Sequence, residues 1–489
     1  MSRKSGILMH ISSLPSSYGI GTMGKEAYNF IDFLAEAGQK MWQVLPIGHT
    51  SYGDSPYQSY SSYAGNPYFI DLDTLCEEGL LERKDLEAIP REKDTEKVDY
   101  GMLFETRFPL LKKAAEKLLT MPPANFYTFL DENRHWIDDY AIFMAIKEKM
   151  GFKGREEWKK DLRIKGDEAL LFADEEAVRI YKAIQFLFFK QWFALKGYAN
   201  EKGIEITGDL PIYCASDSCD VWSEAKVFML DEDYRPYLVA GCPPDGFSPL
   251  GQRWGNPIYD WDYLEKTKFS WWVERLRHSL KIFDVVRIDH FRGFDSYFVI
   301  DASEETAVNG KWVDGPKMKL FKAFEREIGE NLPIIAEDLG YLTDSVKKLL
   351  LETGYPGMKV LQFAFDERES GDYLPHNYTK NSVCYVGTHD NDTAIGWYEN
   401  VDMRDREKAK AYFNLNKEEG FAKGLIRGAL ASVSDTAIIC MQDYLNLGSN
   451  ARMNTPSTNS GNWQWRMNKD ALTDVLCREI KEMTLLYGR

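Results

Sequence analysis

The chain has 489 residues, 44% of them hydrophobic and 28% charged, with a formal net charge of −16 and a pI near 5.1. This mixture supports a sizeable core and excludes a disordered chain or a coiled coil, and the acidic balance argues against a nucleic-acid partner. No stretch approaches the ~20 apolar residues that cross a bilayer, and the apolar run before Ser12 is too brief for a signal peptide.

In chain order, the first expected strand is Gly6–Met9. Beyond it, Gly19-Ile20-Gly21-Thr22-Met23-Gly24 matches a dinucleotide fingerprint, and Lys25 makes it nearly a phosphate loop. The context fails. His10–Tyr18 separates the glycines from the strand, Gln43-Val44-Leu45 offers no acid for a ribose, and Glu26 stands where Ser or Thr would hold magnesium. A turn feeding the helix Glu26–Ala37 is the better reading, with Phe30, Phe33, Leu34 and Ala37 on one face and Gly38 as its stop.

Strand Met41–Leu45 follows. From Leu45 to Glu205 there is far more chain than one crossover needs, and helical runs at 102–119, 126–149 and 176–200 predict a mainly helical inserted subdomain over about 72–200. After strand Glu205–Leu210, the Pro-, Gly- and Trp-rich segment 213–261 is expected to be loop-rich. Then come helix Leu264–Phe283, strand Asp284–Ile288, helix Lys317–Ile328, strand Pro333–Ala336 and helix Asp344–Glu352. Strands Met358–Phe363 and Ser382–Val386, helix Glu418–Val433 and strand Ala437–Met441 complete the series.

Strands alternating with helices indicate a parallel sheet. Their number fits a (β/α)8 TIM barrel better than an open doubly wound sheet, which the sequence alone leaves open. A bare barrel needs ~250 residues, so residues 1–489 are read as one catalytic barrel enlarged by insertions. The seven cysteines, odd in number and mostly within apolar runs, read as reduced, buried residues of a cytoplasmic protein. Cys214 and Cys219 lack the second pair that a zinc site needs, and neither His-Glu-x-x-His nor Gly-x-Ser-x-Gly occurs.

Three strand ends carry acids. In Asp284-Val285-Val286-Arg287-Ile288-Asp289, the period of two puts Arg287 and Asp289 on one side, where the arginine would keep the acid ionised as a nucleophile requires. Ile334-Ile335-Ala336-Glu337 ends an apolar run, so desolvation would raise the pKa of Glu337 and suit it to acid work. Val383–Val386 runs into Gly387-Thr388-His389-Asp390-Asn391-Asp392. One such acid is most often a structural ion pair or a helix cap. Three on successive strands, all at the carboxyl side where barrels hold their sites, point to chemistry.

These motifs, in this order, resemble the catalytic regions of the α-amylase clan, and among them the amylomaltase or disproportionating-enzyme family of 4-α-glucanotransferases. The resemblance runs from His10-Ile11-Ser12-Ser13-Leu14-Pro15 to Gly461-Asn462-Trp463-Gln464-Trp465-Arg466. Its most specific pieces are Asp54-Ser55-Pro56-Tyr57-Gln58, Gly208-Asp209-Leu210-Pro211-Ile212-Tyr213, and the loop from Pro243-Pro244-Asp245-Gly246-Phe247-Ser248 to Gly251-Gln252-Arg253-Trp254-Gly255-Asn256-Pro257. It implies Asp289 as nucleophile, Glu337 as general acid/base and Asp390 as the acid that holds sugar hydroxyls and stabilises the transition state. Arg287 and His389 would support the donor glucose, Tyr57 would stack on it, and Trp254 would stack on the acceptor side. Ser55, Asp209, Asp245 and Asn462 are further implied sugar-binding or site-shaping residues. Pro249 and Leu250 depart from the small or polar residues usual in the family's loop. The family's barrel carries helical insertions and no C-terminal β-sandwich.

The implied reaction is a retaining double displacement on α-1,4-glucans and malto-oligosaccharides through a covalent β-glucosyl-Asp289, with no metal or organic cofactor. It expects the two carboxyl groups ~5–5.5 Å apart, and a lid around Phe247 and Trp254 that keeps water from the intermediate. Two alternatives stand beside it: an α-glucan hydrolase with the same carboxylates, and a non-catalytic glucan-binding barrel.

Overall fold

Eight short apolar runs form strands that pair in parallel and close on themselves: β1 (Lys4–Leu8), β2 (Met41–Gln43), β3 (Glu205–Leu210), β4 (Val285–Ile288), β5 (Ile334–Ala336), β6 (Gly357–Val360), β7 (Ser382–Tyr385) and β8 (Thr436–Cys440). The order around the barrel follows the chain, and β1 closes on β8 with Leu8 beside Cys440. This computed structural model describes residues 3–51, 53–90, 95–244, 248–340, 342–366, 371–458 and 460–489. The fold is a (β/α)8 barrel, and each strand overlaps the run expected for it.

The period of two sorts every strand. Leu8, Ile335, Met358, Val360, Val383, Tyr385, Ile438 and Cys440 pack together inside the barrel. Ile7, Val286, Ile288 and Ala336 belong to the outer core beneath the helices, which is continuous with residues of the helices between β2 and β3, such as Tyr140, Phe186 and Trp192. Tyr385 donates its hydroxyl to Gln43 Oε1 at 2.8 Å.

Between β2 and β3 lie the helices Tyr100–Thr120, Ala124–Glu132, Arg134–Lys149 and Glu175–Glu201, among others. The glycine-rich segment before helix Lys25–Glu36 is a packing device: a Cβ on Gly21 would lie 1.8 Å from the Ile11 carbonyl oxygen, and one on Gly24 would lie 2.1 Å from Asp71 Oδ2. The helix expected over Leu264–Phe283 is two, Trp261–Lys266 and Ser270–Ile282, separated by Lys268 and Phe269 at φ of 56° and 58°.

One region departs further. The segment 213–261, read as loop-rich, contributes strands Leu238–Cys242 and Gln252–Pro257 to an antiparallel sheet with Ser296–Asp301 and Lys311–Asp314. Gly241 and Gly255 punctuate the hairpin, and the pairing slips between Val239 and Gly241. These breaks hide the alternation by which a strand is read from sequence. The sheet joins the barrel through the turn Phe291–Phe294, which follows β4.

Candidate active site

Interior-facing positions at the carboxyl ends of β3, β4 and β5 carry Asp209, Arg287, Asp289 and Glu337. Asp209 pairs in register with Arg287, and Ile288 with Ala336, so Asp289 and Glu337 continue adjacent strands at one level. The backbone bonds agree: Asp289 donates its N–H to the Leu210 carbonyl at 3.0 Å, and Glu337 donates to that of Ile288 at 3.0 Å.

Arg287 does not serve Asp289 alone. Its Nη1 lies 2.8 and 2.6 Å from the two Asp209 oxygens and 3.1 Å from Asp289 Oδ1. Tyr57 donates its hydroxyl to Asp209 Oδ2 at 3.0 Å. Burial pushes the Asp209 carboxyl up to about 7, against the pull of Arg287. Burial also raises Asp289 above its ordinary value, opposed by Arg287 and reinforced by Asp390. The expectation that the arginine holds Asp289 ionised is therefore amended: one guanidinium is divided between two acids, and desolvation is the larger influence.

Glu337 is 9% exposed. Its Oε2 accepts the His290 N–H at 2.6 Å and its Oε1 the Leu339 N–H at 2.8 Å. Those bonds and Arg287 favour the carboxylate, yet burial outweighs them and, with Asp289 nearby, pushes the group up to about 8. The direction matches the expectation. His290 reaches its position with φ of 51°, a left-handed conformation costing about 1 kcal/mol. That turn aims its N–H at Glu337.

Asp390 follows β7 and is 47% exposed. Beside it, the buried His389 ring stacks on Tyr57 at 5.2 Å and 17° and lies 6.0 Å from Trp463. Burial lowers the His389 pKa, so the ring is neutral at neutral pH. Trp254, on the hairpin of the small sheet, meets His290 edge-on at 4.9 Å and donates its Nε1–H to Gln252 Oε1 at 3.1 Å. The cluster thus brings together several acids, one buried guanidinium and flat aromatic faces, a composition suited to a neutral polyhydroxylated ligand.

A family model described as 4-alpha-glucanotransferase matches residues 9–473. The chain belongs to the 4-alpha-glucanotransferase family. It is 52% identical to the 4-alpha-glucanotransferase of Clostridium butyricum over 486 residues, covering 98% of this chain and 100% of the relative. The Thermus thermophilus 4-alpha-glucanotransferase is 46% identical, with 95% of both chains covered. Among solved structures, an amylomaltase from Streptococcus agalactiae in complex with acarbose superposes with a TM-score of 0.96 at 46% identity, over 100% of this chain and 99% of the other. The amylomaltase from Corynebacterium glutamicum shares the fold, with a TM-score of 0.78 at 21% identity over 100% and 75% of the two chains.

Not every residue expected in this glucanotransferase's site joins the cluster. Ser55 shapes the turn that carries Tyr57, its hydroxyl accepting the Tyr57 N–H at 3.3 Å. Asn462 is bonded within its own loop, to Thr455 N at 2.9 Å and to Thr458 O and Oγ1 at 3.2 and 3.0 Å. Asp245 and Phe247 lie outside the described residues. Conversely, three residues in contact with the site went unread. His290 directly follows the run Asp284–Asp289, but its backbone conformation has no sequence signal. Arg452 and Asn454 bond Asp390 from 62 and 64 residues away, and no spacing rule connects them to it.

Among the described residues no helix is long and apolar enough to cross a membrane.

Proposed function

We propose that this glucanotransferase moves α-1,4-glucan segments by retaining double displacement, with Asp289 as nucleophile and Glu337 as general acid and base. The carrying observation is the pairing of these two acids at one level on adjacent strands, with the N–H of the residue after Asp289 bonded to Glu337 Oε2. Adjacent parallel strands lie ~4.8 Å apart, close to the ~5–5.5 Å separation of retaining pairs. Their environments support different roles. Of two neighbouring acids that share a proton, the one raised to about 8 keeps it. Asp289, beside Arg287, is then the carboxylate that attacks the anomeric carbon while Glu337 protonates the leaving oxygen. The 4-OH of an acceptor glucan next attacks the β-glucosyl ester, and Glu337 takes its proton.

Asp390 holds hydroxyls of the donor ring and offsets the positive charge that develops on it. Tyr57 and His389 form its stacking wall. Arg287 and Asp209 fix Asp289, and Trp254 flanks the acceptor side. The acarbose bound in the Streptococcus agalactiae relative supports α-glucans and malto-oligosaccharides as the ligand class. We read residues 1–489 as one catalytic barrel whose helical insertion of about 72–200 and segment of about 213–261 build the cleft walls. Five buried cysteines, none in a disulfide, fit a reducing cytoplasm.

Pure maltotriose tests the proposal. Transfer gives products both shorter and longer than the input while the number of reducing ends stays constant. Only shorter products with rising reducing ends would leave a hydrolase. Proton NMR of the first products made from an α-linked donor should show α-anomers. Initial β-anomers would reject the double displacement.

A further inference from the structure

Asp390 can serve a donor sugar only if its carboxylate presents a fixed oxygen to the cleft, yet it stands half-exposed on a loop. The structure shows what fixes it. Asn454 donates its side-chain N–H to Asp390 Oδ1 at 2.7 Å, while His389 Nε2 lies 3.4 Å from the same oxygen. Oδ2 has no hydrogen-bond partner among the described residues. The backbone is gripped as well: Arg452 donates from Nη2 to the Asp390 carbonyl at 2.6 Å and from Nε to the Asn454 carbonyl at 2.7 Å, and Asn454 donates its N–H to the His389 carbonyl at 3.1 Å. Met453, between them, accepts the Trp463 N–H at 2.7 Å, so the segment that holds Asp390 also sets the aromatic wall.

We infer that Asn454 is a positioning residue for the donor site, holding Asp390 by one oxygen so that the other faces the donor ring. The inference rests on the role proposed above for Asp390. An amide suits this task because it donates a hydrogen bond without adding charge. Arginine there would neutralise the carboxylate, and an acid would repel it. Arg452 has the complementary task. It carries the cation but directs it at carbonyl oxygens, so the loop is held while the Asp390 carboxylate keeps its charge for the oxocarbenium-like transition state.

The test uses the full-length enzyme on maltotriose with three variants and a pH series. Asn454→Ala should lower kcat by about 10- to 100-fold with a smaller change in KM, because a loosened carboxylate fails mainly when charge develops. Asn454→Asp places a second carboxyl against Oδ1. When both are ionised they repel, and when one is protonated they share the proton and resemble the native pair. Its activity relative to the native enzyme should therefore rise at least tenfold as pH falls from about 8 to about 5. Thr458→Ala, which loosens the same loop without touching Asp390, should give a ratio that does not vary with pH. Equal, pH-independent losses in all three would reduce Asn454 to a loop-builder, and full activity in Asn454→Ala would overturn the inference outright. Asp390→Asn separates the premise from the inference. If that variant keeps its activity, the role of Asp390 is wrong. If it is inactive while Asn454→Asp tracks the native enzyme at every pH, the role of Asn454 is wrong.

Discussion

Two regions of this molecule bury charged side chains, and they do so in opposite ways. Among the helices between β2 and β3 three cations, Arg107, Lys147 and Arg155, are buried, and each donates to at least one backbone carbonyl oxygen. Arg155 donates to the carbonyls of Ser216, Arg163 and Tyr234 at 3.1, 2.9 and 2.9 Å, and Lys147 donates to the Lys153 carbonyl and to Asp217 at 3.0 and 2.5 Å. Tyr60, Phe143 and Trp158 surround the Lys147 ammonium. At the carboxyl end of the barrel the buried charges are acids in excess. Asp209, Asp289 and Glu337 share Arg287, with Asp390 beside them, and burial raises the first three. The contrast shows how to tell a structural buried charge from a working one. The former bonds backbone carbonyls and ties segments together; the latter is crowded by its own sign and is relieved by a proton or by a developing positive charge on a substrate.

The contrast breaks most visibly under mutation. Asp289→Asn and Glu337→Gln should each reduce transfer by ~10⁴-fold or more while leaving thermal stability near native. A glucosyl fluoride donor, whose leaving group needs little acid help, should restore the first step in Glu337→Gln and not in Asp289→Asn. Restoration in both, or in neither, would contradict the division of roles. Arg155→Met should behave in reverse. It strands three carbonyls and costs about 3 kcal/mol of stability, yet the folded fraction should keep its kcat. A lower kcat with unchanged stability would place Arg155 among the functional charges.

The sequence carried part of this distinction. The barrel was legible because several strands are short β-branched runs that alternate with amphipathic helices, and the acids were legible because they stand where such runs stop. Period two then puts Arg287 and Asp289 on one side of their strand with no further information, while the inward direction comes only from the closed barrel. What it could not carry is which groups meet across strands. Arg287 neighbours Asp289 in sequence, but its shortest bond goes to Asp209, 78 residues away. The small sheet escaped for a local reason: Gly241 and Gly255 interrupt one hairpin, and Ser296–Asp301 lies where an alternating barrel expects a helix. Asn454 escaped because its role exists only once the loop before it folds back onto β7.

Sharper still is pH. Glu337 must be protonated to act as an acid, so kcat/KM should fall tenfold per unit as pH rises through about 8. Asp289 must be ionised, and its raised value puts the acid limb above the usual carboxylate range. A flat profile from pH 6 to 9 would mean that Glu337 is not the titrating acid.

The smallest effect concerns stability rather than rate. The folded-state value of Glu337, about 8, lies above its ordinary 4.5, so between these values the folded protein binds a proton that the unfolded chain lacks. Stability then falls as pH rises through that window, and the loss is complete above the folded value. Glutamine does not titrate. Relative to the native enzyme, Glu337→Gln should therefore gain stability on going from pH 6 to pH 8, by an amount on the order of 1 kcal/mol. The gain falls short of the full linkage value because Asp289 changes its own proton occupancy when Glu337 loses its charge. Arg155→Met offers the control: its guanidinium stays protonated throughout this range, so its deficit should be the same at both pH values. Parallel stability curves for Glu337→Gln and the native enzyme would mean that the acid is ionised on both sides of folding, and that the crowding at the barrel mouth is relieved by some group other than Glu337.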